Sequence, residues 1–273
     1  RKGAPRMSHD DVVVLTGAAG RIGRAIAPLL ARPGRELRLT DRVAPEALPE
    51  NASFTACDLE DADGMTGIFS GADAVLHLGG ISTERPWADI LRVNIDGTRN
   101  VLEAAREARV RSVLLASSIH AAGFAPVPEA RSDAPLFPRP DTYYGVSKAA
   151  MEALGSLYSD RFGLTVVSAR ICSFLEVVGD GRAAAQWLSP ADMARLAEAA
   201  IALRDGRHHV VWGVSANTPG WFSLAAGAEI GFVPQDDAVA ERIRDGRAPA
   251  DLDASTPLGA SFTSPENPVG VAW

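Results

Sequence analysis

The chain is predicted to fold as a doubly wound α/β body, a mainly parallel sheet covered by helices on both faces. Three observations carry that expectation. Short apolar or β-branched runs alternate with helical patterns; a G-x-x-G-x-x-G turn joins the first run to the first helix; and 47% hydrophobic with 22% charged residues over 273 positions is the balance of a folded chain.

The elements follow in order. Val12–Leu15 reads as a buried strand, and Ile22, Ile26, Leu29 and Leu30 recur at helical spacing behind it. Leu37–Leu39 is the second strand, Phe54–Cys57 leads to a third strand end, and Ala74–Leu78 follows. A helix carrying Val101, Leu102, Ala105 and Ala108 precedes the strand Val113–Ala116, and a Tyr144-to-Phe162 helix precedes Thr165–Ala169. Beyond Cys172 the pattern loosens. Ser189 as N-cap, Pro190 in the first turn and Asp192 at the third position start a helix running to about Leu203, and Val210–Trp212 is a last strand. From Asp245 the chain is rich in Pro, Gly, Ala and Asp, which fits either a loop draped on the body or a partly mobile segment. The expected organisation is a dinucleotide-binding core over residues 11–170 and a small substrate lobe with its tail over 171–273, both in one body. Arg1 to Arg6, ahead of Met7, are set aside from this reading.

Charge and composition exclude several roles. Lys plus Arg is 27 and Asp plus Glu is 34, a net charge of −7 that draws the chain to neither nucleic acid nor anionic lipid. The stretch His208 to Ala228 is broken by Ser215, Asn217, Thr218, Pro219 and Gly220, so no spanning helix is expected. Cys57 and Cys172 are too few for a disulfide framework or zinc site, and no leader pattern opens the sequence, so a cytoplasmic setting is expected. His208 and His209 lack further ligands, and no metal is expected.

The glycine turn is Thr16-Gly17-Ala18-Ala19-Gly20-Arg21-Ile22-Gly23. Gly17 and Gly20 permit close backbone approach, Gly23 lets the helix pack on the sheet, and the N–H groups around Ala19, Arg21 and Ile22 are offered to a pyrophosphate. Asp41, about 24 residues beyond Gly17, stands near the ~20-residue offset at which a carboxylate meets ribose hydroxyls, which favours NAD over NADP. Asp58 sits where the third strand end reaches the adenine, although a helix cap explains it too.

Tyr144 and Lys148 lie four residues apart, on one helix face. Ser117 and Ser118 end the Val113–Ala116 strand, where a reacting group belongs in this fold. A free tyrosine titrates near ~10, so to act as a base near neutrality Tyr144 has to be lowered by about 2–3 pH units, or ~3–4 kcal/mol, by nearby positive charge. Lys148 and an oxidised nicotinamide are the expected sources.

Gly17-x-x-Gly20-x-x-Gly23, Asp41, Asp58-Leu59, Asn94, Ser118 and Tyr144-x-x-x-Lys148 together resemble the extended short-chain dehydrogenase/reductase family over roughly Asp11 to Trp221. Within it, His77-Leu78-Gly79-Gly80-Ile81-Ser82, Ser117-Ser118-x-His120, Arg170-Ile171-x-Ser173 and Val211-Trp212-Gly213-x-Ser215-Ala216-Asn217 are similar to the uronate dehydrogenases. The resemblance implies NAD-linked oxidation of C1 of a cyclic hexuronic acid, glucuronate or galacturonate, to an aldarolactone. It implies Tyr144 as base, Ser118 on the same oxygen, Lys148 on the nicotinamide ribose and Asn94 completing a proton path. It also implies cofactor contacts from Leu59, Leu78, Gly79 and Gly80, sugar contacts from Ser82, His120 and Ser173, and a carboxylate clamp at Arg182. Ile119 departs from the pattern. Uronate dehydrogenases carry a substrate-touching asparagine there, and its loss removes a hydrogen bond of ~1–3 kcal/mol.

Three alternatives stand beside this reading: an NAD-dependent dehydrogenase of another sugar, a nucleotide-sugar epimerase or dehydratase, and a non-catalytic dinucleotide-sensing regulator. The intact Ser118, Tyr144 and Lys148 speak against a pure sensor. A homo-oligomer is expected from the resemblance, with the Tyr144-to-Phe162 helix as one apolar face for it.

Overall fold

Parallel pairing of the apolar runs builds the main sheet. The computed structural model describes residues 11–273, so Arg1 to Arg6 lie outside the described residues. Its strands are β1 (Asp11–Thr16), β2 (Arg35–Asp41), β3 (Ala52–Ala56), β4 (Ala74–His77), β5 (Ser112–Ser118), β6 (Thr165–Ile171), β7 (Ser173–Phe174), β8 (Trp187–Leu188) and β9 (His208–Gly213). Seven of them form one sheet in the order β3-β2-β1-β4-β5-β6-β9, every pair parallel, while β7 and β8 form a small pair of their own.

The helices are α1 (Arg21–Leu30), α2 (Ala62–Phe69), α3 (Trp87–Asp89), α4 (Gly97–Glu107), α5 (Tyr143–Phe162), α6 (Arg182–Ala185), α7 (Pro190–Ala202), α8 (Ala225–Glu229) and α9 (Ala238–Arg244). Strand alternation divides the core between the two faces of the sheet. Val13 and Leu15 of β1 pack with Ile26 and Leu30 of α1 and Leu196 and Ala200 of α7. Val14, between them, packs with Met65 and Phe69 of α2, Val101 of α4 and Met151 of α5. Each large apolar side chain so buried contributes about 1.5–3 kcal/mol.

The chain reverses its strand order between β1 and β4, so their carboxyl ends open the crevice in which this fold binds ligands. β3 starts earlier than the apolar run suggested, because as an edge strand it mixes Ser53 and Thr55 with Phe54. Helix α7 is capped as its sequence predicts: the Ser189 hydroxyl accepts from the Asp192 N–H, and Pro190 opens the first turn. The segment beyond residue 170 returns β9 to the main sheet beside β6. The tail drapes back over the body, with the Leu258 N–H donating to Ala125 O and the Gly259 N–H to Gly123 O. Among the described residues no helix is long and apolar enough to cross a membrane.

Candidate active site

The glycine turn is shaped for close approach. Gly17 sits at φ +73°, a left-handed conformation, and a Cβ there would lie 2.5 Å from the Gly79 nitrogen. A Cβ on Gly23 would collide with Gly17 O, so α1 starts hard against the turn. No side chain caps α1, whose N-cap is Gly20, and the first N–H groups point to the crevice unspent. Asp41 ends β2 and ties itself to the turn: its Oδ2 accepts from the Ala19 N–H at 3.0 Å and its Oδ1 from the Arg42 N–H at 2.7 Å. A cavity of about 280 Å³ runs from here past Thr40, Asp58, Leu59, Leu78, Gly79 and Gly80. Thr40 Oγ1 is buried in that wall without a partner among the described residues, which leaves a polar group for a ligand to satisfy. Asp58 lines the cavity and accepts from the Glu60 N–H at 3.1 Å, but it is no helix cap: Asp61 caps α2 by accepting from the Gly64 N–H. A glycine cradle, an open helix N-terminus, a carboxylate at the second strand end and an orphaned hydroxyl fit a dinucleotide such as NAD.

A second cavity, of about 470 Å³, shares Gly17, Gly20 and Gly80 with the first and brings Ser118, His120, Tyr144 and Lys148 together with Arg21, Ile22, Gly23 and Ser82. Residues from β5 and α5, distant in sequence, meet there because β5 ends beside the N-terminus of α5. Thr142 caps that helix by accepting from the Gly145 N–H. The Lys148 Nζ donates to Ala116 O at 2.7 Å and lies 5.5 Å from the centroid of the Tyr144 ring. Burial pushes the Tyr144 phenol up to about 12, with the Asp141 charge adding to it against the lowering pull of the Ser118 hydroxyl. Burial alone pushes Lys148 down to about 8. Desolvation disfavours the charged form of both groups, so the lowering of Tyr144 expected from Lys148 and an oxidised nicotinamide together is not supplied by Lys148 alone.

Ser117 and Ser118 part company on the pleat. Ser118 faces the cavity, while the Ser117 hydroxyl donates to Glu152 Oε1 at 2.6 Å, and Arg170 clasps the same carboxylate with two bonds of 2.8 Å. The Asn94 amide is spent on the frame: it accepts from the Ile81 N–H at 2.8 Å and donates to Ile81 O and Ser147 Oγ at 3.0 Å each. It thereby holds the Gly80–Ile81 loop against α5.

Not every expected sugar residue reaches the cavity. Ser82 and His120 line it, whereas Ile119 turns inward and packs with Ala122, Trp212 and Val214. Ser173 bonds Gln186 at 3.4 Å, while its neighbours Cys172 and Phe174 reach the wall. Arg182 lies outside the lining: its terminal nitrogens donate to Asp253 O, Thr256 O and Pro257 O, with its guanidinium 5.0 Å from the Trp221 ring centroid. Its Nε is buried without a partner among the described residues.

Sequence reasoning missed Phe262, Trp273, Glu84 and Asp141. Phe262 stacks on His120 with ring centroids 3.8 Å apart, and Trp273 packs edge-on against Phe262 at 4.6 Å. Fully buried Glu84 accepts from the Tyr144 N–H at 2.8 Å and the Gly270 N–H at 2.8 Å, tying the start of α5 to the tail. Aromatic residues in an otherwise weakly patterned tail were the one available signal for the first two.

Comparison with known proteins gives the family. Residues 13–175 match the model of the NAD dependent epimerase/dehydratase family. The chain is 38% identical to a uronate dehydrogenase of Pseudomonas syringae pv. tomato, over 88% of each chain. It is 36% identical to an NAD-dependent glucose-6-phosphate dehydrogenase of Haloferax volcanii, over 84% of this chain and 95% of that one. The crystal structure of uronate dehydrogenase from Agrobacterium tumefaciens superposes with a TM-score of 0.85 at 34% identity, covering 97% of this chain and 100% of the other. With the glycine cradle, the switch-point crevice and these matches in hand, the chain belongs to the NAD dependent epimerase/dehydratase family.

Proposed function

We propose that the protein oxidises C1 of a cyclic hexuronic acid, such as glucuronate or galacturonate, to an aldarolactone with NAD as acceptor. The observation that carries this reading is one crevice in which the glycine cradle and Ser118, Tyr144, Lys148 and His120 adjoin. Its chain is closely related to uronate dehydrogenases from end to end of the match.

Gly17, Ala19, Gly20, Arg21, Ile22, Gly23, Asp41, Asp58, Leu59, Leu78, Gly79, Gly80 and Lys148 would hold the dinucleotide. NAD, when bound, would supply the hydride acceptor and positive charge. Tyr144, as phenolate, takes the proton of the anomeric hydroxyl, and the Ser118 hydroxyl bonds the same oxygen. Lys148 adds positive charge beside the phenolate, and burial of the pair keeps water from competing for the proton. Asn94 keeps the loop and α5 in register for this transfer. Ser82 and His120, which line the cavity, are assigned to sugar hydroxyls, while Ser173 and Arg182, expected as sugar and carboxylate contacts, are engaged by Gln186 and the tail outside it. Ile119 shapes the pocket from below rather than touching the sugar.

A second reading, oxidation of an uncharged aldose or sugar phosphate, is favoured by one observation: the terminal nitrogens of Arg182 already hold the tail. Formation of NADH with glucuronate, galacturonate, glucose and glucose 6-phosphate separates the two. Turnover of uronates alone supports the first. Turnover of the uncharged sugar or the phosphate in its place overturns it.

A further inference from the structure

We propose that Asp141 is the positioning residue of the sugar pocket, holding His120 in the tautomer that carries its proton on Nδ1 and leaves Nε2 to accept a substrate hydroxyl. The inference rests on reading the cavity as a sugar site, and it assigns a role to a side chain that touches no sugar itself.

Asp141 precedes α5, and its side chain is wholly shielded from solvent. A carboxylate taken out of water is costly unless each oxygen finds a donor. Both do. Oδ2 lies 2.7 Å from His120 Nδ1, and Oδ1 lies 3.0 Å from Thr142 Oγ1. The Thr142 hydroxyl already accepts the Gly145 N–H at 3.0 Å, so its own proton is directed to Asp141. An ionised carboxylate only accepts, so the imidazole is the donor at Nδ1, and the bond made by one ring nitrogen fixes the state of the other. Phe262 stacks on the face of the His120 ring, with centroids 3.8 Å apart.

The surroundings are built around this carboxylate. Gly123, Gly145 and Gly259 come from three separate segments, and a Cβ on any of them would press on Asp141, by collision at Gly123 and Gly259 and at 2.8 Å from Oδ1 at Gly145. None of the three has a left-handed backbone that would call for glycine on its own account. Their lack of a side chain makes room for Asp141.

The test is a double-mutant cycle in the full-length protein together with a direct reading of the tautomer. Imidazole nitrogen NMR of the wild type should show His120 protonated at Nδ1, and Asp141→Asn, which can donate in its place, should move that proton to Nε2. In kinetics, Asp141→Asn should raise the KM for the uronate about 10-fold or more with NAD affinity unchanged, and the same change should add nothing in a His120→Ala background. A wild-type His120 protonated at Nε2, or equal losses from Asp141→Asn in both backgrounds, overturns the proposal. If the wild type oxidises no uronate, the function proposed above fails, and the NMR reading still decides the role of Asp141.

Discussion

Replacing Tyr144 with phenylalanine removes one oxygen from the cavity and leaves the ring that packs near His120 and Lys148. Turnover should fall by about 10²- to 10⁴-fold while NAD binding, followed by titration calorimetry, is retained. A second residue carries a pH dependence. Buried His77 bridges Thr16 and Thr98, and burial, then the charge of Lys148, pushes it down to about 3 from the ordinary 6.5. Between those values the unfolded chain binds the extra proton, so stability is full above about 6.5 and declines as the pH falls toward 3. The thermal midpoint should drop across that window, and the drop should be shallower in His77→Gln. At this scale the sequence displayed Gly17, Asp41, Ser118, Tyr144 and Lys148, because each stands at a fixed offset from a strand or along a helix. It hid Glu84 and Asp141, whose partners lie in distant segments.

Elements add constraints that single residues do not. The turn from β1 to α1 leaves no room at Gly17, so Gly17→Ala meets both an unfavourable φ and the Gly79 backbone. Equilibrium binding of NAD should weaken by at least about 10-fold, with the far-ultraviolet dichroism of the fold retained. The start of α5 depends on Glu84, whose carboxylate accepts backbone N–H groups from Tyr144 and Gly270. Glu84→Gln places an amide among those donors and should cost about 1.5–3 kcal/mol in urea unfolding. Strands β1, β4, β5 and β6 were legible because burial on both faces gives each a continuous apolar run. β7 and β8, two residues each, carry no period for a sequence to reveal.

Across the whole molecule, the late segments close what the early ones open. The crevice belongs to the sheet, yet from the tail Phe262 stacks on His120 of its lining and Trp273 packs behind Phe262. Phe262→Ala should therefore raise the KM for the sugar several-fold and leave NAD affinity within about twofold, since Phe262 packs on His120 and not on the glycine turn. The doubly wound architecture was readable from alternation alone. The return of the tail was not, because a chain without periodicity is placed by single hydrogen bonds and ring contacts, such as those of Arg182 and Phe262.

The Ser117–Glu152–Arg170 cluster has a consequence for how β5 finds its alignment. Neighbouring serines on one strand invite an error, since sliding β5 by one residue would present Ser117 to the cavity in the place of Ser118. The same slide would withdraw the hydroxyl that Glu152 accepts beneath the sheet, and would set Ala116, which has none, in its place with the strand displaced against β6. A buried ion pair that must be met on one side thus discriminates between two chemically identical residues on the other. The serine whose hydroxyl is left to the cavity is selected by its twin's engagement with a buried charge.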